Sequence, residues 1–139
     1  MTEKPDKSLD EVVREDGRYP LEAFGFLHDG LARAVKGVYG EAAAAEQASD
    51  PQQRRPRHVT GRQLCEALRE EGIERWGMLA RTVLERWNVR ETLDFGRMVY
   101  LLVENGLMQK TESDSLEDFR AVYDFESAFS PASIFKGEG

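Results

Sequence analysis

Stretches of helical periodicity alternate along this chain with short polar breaks. Phe24, Leu27, Leu31, Val35 and Val38 recur at spacings of 3, 4, 4 and 3 residues, one apolar stripe on a helix from about Leu21 to Val38. Pro20 suits the first position of that helix, where its missing N–H has no intrahelical partner. Upstream, Ser8-Leu9-Asp10-Glu11 has the form of a capping box and opens a short helix carrying Leu9, Val12 and Val13, stopped near Asp16-Gly17. Gly40 ends the longer helix. From Glu41 to Arg57 there is no large apolar side chain, so a flexible loop is expected.

Thr60-Gly61-Arg62-Gln63 is a second capping box, and Leu64, Cys65 and Leu68 follow on one face up to a halt at Gly72. Ile73, Trp76, Leu79, Ala80, Val83, Leu84 and Trp87 give the next stripe, with both tryptophans in the core. Asn88 tolerates a left-handed cap. A third helix begins near Thr92, turns Phe95, Met98, Val99 and Leu102 inward, and ends at Asn105-Gly106. Leu107 to Thr111 predicts a strand and Glu112-Ser113-Asp114-Ser115 a turn. Arg120 to Phe125 returns as a second strand, although Phe119, Tyr123 and Phe129 also fit a helical spacing. The expected fold is therefore mainly α with a small β element. It forms a single domain over residues 1–139: N-terminal helices in 8–40, the loop 41–57, a helical core in 58–126 and a tail in 127–139. Three helices closed by a strand also draw the outline of a winged helix-turn-helix within 58–126.

Composition narrows the classes. At 139 residues, with 40% hydrophobic and 32% charged positions, the chain has the make-up of one soluble domain. No apolar run approaches the roughly 18 residues of a membrane span, and the first residues lack a secretory pattern, so a cytoplasmic protein without membrane contact is expected. Cys65 is the only cysteine, which leaves no internal disulfide. The net charge of −7 is uneven: residues 58–110 carry eight basic and eight acidic side chains, and residues 111–139 two against seven. The acidic end repels phosphate.

Candidate chemistry is sparse. Asp94-Phe95-Gly96 matches the metal-binding tripeptide of protein kinases, but no glycine-rich loop, V-A-I-K strand or H-R-D loop accompanies it. His28 and His58 lie thirty residues apart without a second ligand at a metal spacing. Glu112, Asp114, Glu117 and Asp118 lack the glycine and spacing of a calcium loop. Cys65, between Leu64 and Leu68, reads as a buried structural thiol. Neither P-loop, nucleophile elbow nor dinucleotide fingerprint occurs, so no catalytic, cofactor or metal residue is assigned and no enzymatic activity is expected. In the helix-turn-helix reading, Asn88-Val89-Arg90-Glu91 is the turn, and Leu93, Asp94, Gly96 and Arg97 are the exposed reading positions. One arginine beside an aspartate reads nucleic acid poorly. Tyr123 and Phe125, set among acidic residues, either pack on their own domain or anchor a partner. The candidate partner contacts are Arg62, Arg90, Arg97, Tyr123 and Phe125.

Arg18-Tyr19-Pro20 with Phe24 and Phe26, His58-Val59-Thr60-Gly61, Thr92 with Asp94-Phe95-Gly96, and Asp118-Phe119 before Tyr123-Asp124-Phe125 and Phe129 form a distinctive set. With them, residues 17–129 resemble a small uncharacterised bacterial protein family. Its members tend to carry proline where this chain has Met78. The resemblance implies a cytosolic single-domain protein with no assigned activity, cofactor or substrate, and no functional residue is carried over from it. The functional expectation is a non-catalytic protein-interaction or adaptor module that binds a protein partner or itself. The second reading is a winged-helix-like regulator that binds nucleic acid.

Overall fold

The computed structural model describes residues 7–40, 58–108 and 115–136, and among them there are helices and turns but no strand. The expected loop 41–57 lies outside the described residues, as does most of the turn predicted after Leu107. Helix α1 spans Leu9–Asp16 and opens with the predicted box, the Glu11 N–H donating to Ser8 Oγ at 3.3 Å and the Ser8 N–H to Glu11 at 3.1 Å. It buries Val12 and Val13. Helix α2, Leu21–Tyr39, follows an extended Pro20, which serves as N-cap and not as the first helical residue. Phe24, Phe26, Leu27 and Val35 are buried, whereas Val38, the last member of the predicted stripe, is exposed.

Helix α3 spans Gly61–Trp76 under the Thr60–Gln63 capping box. It does not halt at Gly72. A mid-helix glycine costs only about 1 kcal/mol, and Gly72 lies buried inside α3, with the Phe26 ring and Ala80 opposite it. The break comes at Gly77, whose φ of +55° side-chain-bearing residues rarely adopt. A single 3-10 turn, Gly77–Leu79, then leads into the short helix α4, Ala80–Arg86. The break resets the helical phase, so Leu79 turns outward instead of joining the predicted inward stripe. Trp76 and Trp87 are half-buried and close a ring cluster with Phe26 at centroid distances of 5.2–5.8 Å.

Helices α2 and α3 form the central pair. Gly30 faces Leu68, Phe26 faces Gly72 and the Tyr39 hydroxyl donates to the His58 carbonyl at 2.7 Å, so the two run antiparallel. Asn88 takes the expected left-handed conformation, φ 67°, ahead of helix α5, Thr92–Glu104. After Gly106 the described residues Leu107 and Met108 form no strand. Nor is Arg120–Phe125 a strand. Leu116–Phe119 is a 3-10 helix, and the chain then turns into helices α6, Phe125–Ala128, and α7, Pro131–Lys136. Two local choices favour this: Asp124 caps α6 by accepting from the Ser127 N–H at 3.1 Å, and Phe119, Phe125 and Phe129 all bury their rings. Helical spacing of those aromatics prevailed over strand pairing. The described residues thus contain no β wing.

Candidate interaction surface

The presumed reading helix faces inward at its start. Thr92, Leu93, Asp94, Phe95 and Gly96 are all buried, and α5 packs against the Leu116–Phe119 segment. An ideal Cβ on Gly96 would lie 2.7 Å from Phe119 Cγ and 2.9 Å from Leu116 Cδ1, so glycine lets these side chains lie against the α5 backbone. The Thr92 hydroxyl donates to the Phe119 carbonyl at 2.7 Å and accepts from the Val122 N–H at 3.1 Å. Leu93, Asp94 and Gly96 are therefore structural, contrary to their expected exposure.

Asp94 organises the next layer. Its carboxylate accepts from the Tyr19 hydroxyl at 2.6 Å, the Arg90 N–H at 2.9 Å and the Arg97 guanidinium at 2.7 Å. Burial pulls its pKa upward, but these donors outweigh burial and hold it below the ordinary carboxylate value. Burial and the same hydrogen bond raise the Tyr19 pKa. The Glu91 N–H adds a fourth donor at 3.3 Å, so this carboxylate is held by four donors of its own chain. Asp94-Phe95-Gly96 thus caps a helix, fills the core and permits a close approach.

The remaining candidate contacts scatter. Arg62 is exposed in the first turn of α3, 3.6 Å from Glu66. Arg90 is exposed in the connector before α5, and Arg97 is held by Asp94 and, at 3.5 Å, by Glu91. Phe125 is 3% exposed, its ring lying in the core. Tyr123 is half-buried, its hydroxyl donating to the Cys65 carbonyl at 2.6 Å and its ring packed with Phe125 and Phe129. Cys65 is fully buried, and burial pushes its thiol up to about 12, as an inert structural residue requires. His28 is exposed beside Asp29. Among the described residues no three ligand-type side chains gather as a metal would need, and no helix is long and apolar enough to cross a membrane.

Two surface features remain. A cleft of about 460 Å³ lies between the ends of α1 and α4, with Arg14, Arg18 and Arg86 on its walls. Asp10 answers Arg14 at 2.6 Å and Asp16 answers Arg18 at 3.0 Å. Arg14 and Arg86 also occupy the last turns of their helices, where cations offset the carbonyl ends. The cleft therefore carries little uncompensated charge.

The second feature is apolar. Helix α7, which carries Phe135, packs against the Gly77–Leu79 turn, which carries Met78 and Leu79. These side chains are 55%, 53% and 63% exposed. Arg69 fixes α7 by donating to the Ala128 carbonyl at 3.0 Å and to Ser133 Oγ at 2.8 Å. The three exposed side chains present on the order of 300 Å² of apolar surface, within the range of a monomer's largest patch and often functional at that size. None was among the predicted contacts. Gly77 was the available signal, since a glycine inside a presumed helix marks where its stripe loses phase. Comparison with protein-family models, curated proteins and solved structures gives no match for this chain.

Proposed function

We propose that the protein is a non-catalytic interaction module whose docking face is the Met78, Leu79 and Phe135 patch. The observation that carries this reading is that Met78, Leu79 and Phe135 stand more than half exposed on two elements in contact, the Gly77–Leu79 turn and α7. Burying such a patch in a partner supplies association energy, and most of that energy resides in a few large side chains. Two further observations support it. Asp94 and Tyr19, a buried polar pair, satisfy one another, and the start of α5 is covered by Leu116–Phe119. That cover disfavours the nucleic-acid reading, because a reading helix must offer those residues to a groove.

The test pairs wild type with a Leu79→Ser/Phe135→Ser double variant, both immobilised against lysate of the source cells. A protein retained by wild type and released by the variant, with unchanged thermal midpoints, is the expected result. Duplex DNA should bind no tighter than roughly 10⁻⁴ M at physiological salt, the weak end of non-specific affinity. Salt-sensitive micromolar duplex binding that the double variant retains would replace this reading with the regulator.

A further inference from the structure

We infer that the docking of α7 is a local equilibrium governed by Arg69, which makes Arg69 the positioning residue of the proposed face; the functional meaning of this rests on the interaction-module reading above. That face is divided between two elements, the Gly77–Leu79 turn with Met78 and Leu79, and α7 with Phe135. Its halves share one surface only while α7 rests against the turn. Helix α7 is poorly equipped to stay there unaided. It has six residues, where an isolated helix in water is marginal below roughly 12–15. None of its described side chains is buried: Pro131, Ala132 and Phe135 are exposed, and Ser133 and Ile134 half-buried. The stretch just before it differs, with Phe125, Ala128 and Phe129 all in the core.

The tie that remains is polar. Among the described residues, the hydrogen bond that joins α7 to another helix runs from Arg69 Nη2 of α3 to Ser133 Oγ at 2.8 Å. Arg69 Nε donates to the Ala128 carbonyl at 3.0 Å. Ala128 ends α6, and its carbonyl is one of those a helix end leaves without an intrahelical partner. This second bond anchors the guanidinium to a buried stretch and aims its other nitrogen at Ser133. Within the segment itself, Ser130 Oγ accepts from the Ser133 N–H at 3.1 Å and the Ser130 carbonyl from the Ile134 N–H at 2.9 Å. Those bonds start the helical turn but do not hold it against α3. One charge-assisted hydrogen bond with little buried apolar area places α7 among the segments that open without unfolding the core. A ligand that spans both halves of the face selects the docked state, so Arg69 sets how much of that face is assembled beforehand.

Amide hydrogen exchange on the full chain, read at two positions, tests the inference. The Ile134 N–H reports α7, and the Phe129 N–H, which donates to the Phe125 carbonyl at 3.1 Å, reports the core. In wild type, Ile134 should be protected at least about tenfold less than Phe129. Ser133→Ala should lower the Ile134 protection by about tenfold, the scale of one hydrogen bond to a charged group, and leave Phe129 unchanged. The sign is diagnostic. Alanine is the better helix former, so a helix end that merely frays would gain protection from this substitution. Ser133→Thr keeps the hydroxyl and should bring protection back to within about threefold of wild type. Ile134 and Phe129 exchanging together would make α7 part of the cooperative core and overturn the inference. Protection that Ser133→Ala leaves unchanged or raises, or that Ser133→Thr fails to restore, removes Arg69 as the clasp. An unprotected Ile134 in wild type means that α7 does not dock, which also overturns it. None of these results alters the Leu79→Ser/Phe135→Ser comparison, so the module reading stands or falls separately.

Discussion

Gly96 offers the sharpest test of how α5 is covered. Replacing an interior helical glycine by alanine ordinarily stabilises a protein by about 0.5–1 kcal/mol, because alanine loses less backbone freedom. At Gly96 the new methyl would sit 2.7 Å from Phe119 Cγ, 2.8 Å from Phe119 Cβ and 2.9 Å from Leu116 Cδ1, all inside van der Waals contact. Phe119 cannot easily yield, since its ring is 4% exposed and its carbonyl is held by Thr92. Overpacking of this kind costs typically 1–3 kcal/mol. Set against the helix gain, Gly96→Ala should destabilise by about 1–2 kcal/mol. Gly25→Ala in α2 is the matched control: nothing lies within 4 Å of its Cβ position, and it should stabilise by about 0.5–1 kcal/mol. Urea unfolding would then separate the two variants by about 2 kcal/mol, and thermal unfolding by roughly 6–8 °C. Gly96→Ala at or above wild-type stability would show that Leu116–Phe119 does not pack on α5 as described.

Two further outcomes follow from the packing and the Asp94 network. Trp87→Ala removes a half-buried ring packed edge-on to Trp76 and tilted against Phe26, so urea denaturation should show a loss of about 2–3 kcal/mol, less than for a fully buried tryptophan; a loss below about 1 kcal/mol would place the cluster outside the cooperative core. Asp94→Asn should cost about 2 kcal/mol at pH 7, the range for hydrogen bonds to a charged group. Because the folded-state pKa of Asp94 is lowered, its stabilisation is present above the unfolded value near 4 and drains away as pH falls through the folded value. The gap between variant and wild type should therefore narrow at pH 3 relative to pH 7, and a gap that widens on acidification would contradict the network.

Local signals in the sequence carried over to the fold where the cause is local. Both predicted capping boxes form, at Ser8–Glu11 and Thr60–Gln63, because each needs only four consecutive residues. Gly40 and Asn88 end helices as their backbone preferences require. The failures have longer range. Gly72 and Gly77 look alike in sequence, and only the packing of α3 on Phe26 decides which one continues the helix. The aromatics between Phe119 and Phe129 suit either a strand or helical turns, and burial against Phe95 and α3 selects turns. Tyr19 and Asp94 are 75 residues apart, a distance no periodicity spans. Among the candidate contacts, Phe125 looked like an anchor because an aromatic amid acids reads the same whether it faces a partner or its own core.

The segments that support the family resemblance converge on this same interior. Tyr19 of Arg18-Tyr19-Pro20 holds Asp94, Gly96 lies against Phe119, and a Cβ on Gly61 would come within 3.1 Å of Phe119 and Asp118. Tyr123 returns to the carbonyl of Cys65, and Asp124 caps the helix that buries Phe125. Each of these side chains is accounted for by packing or hydrogen bonding within the chain, so the motif set describes how the molecule folds and leaves its function unspecified. Met78, Leu79 and Phe135 stand in the opposite position. Nothing inside the fold requires side chains of that size more than half in water, and their removal should leave stability within about 0.5 kcal/mol. Exposed apolar surface that the fold does not need is where a use outside the fold should be sought first.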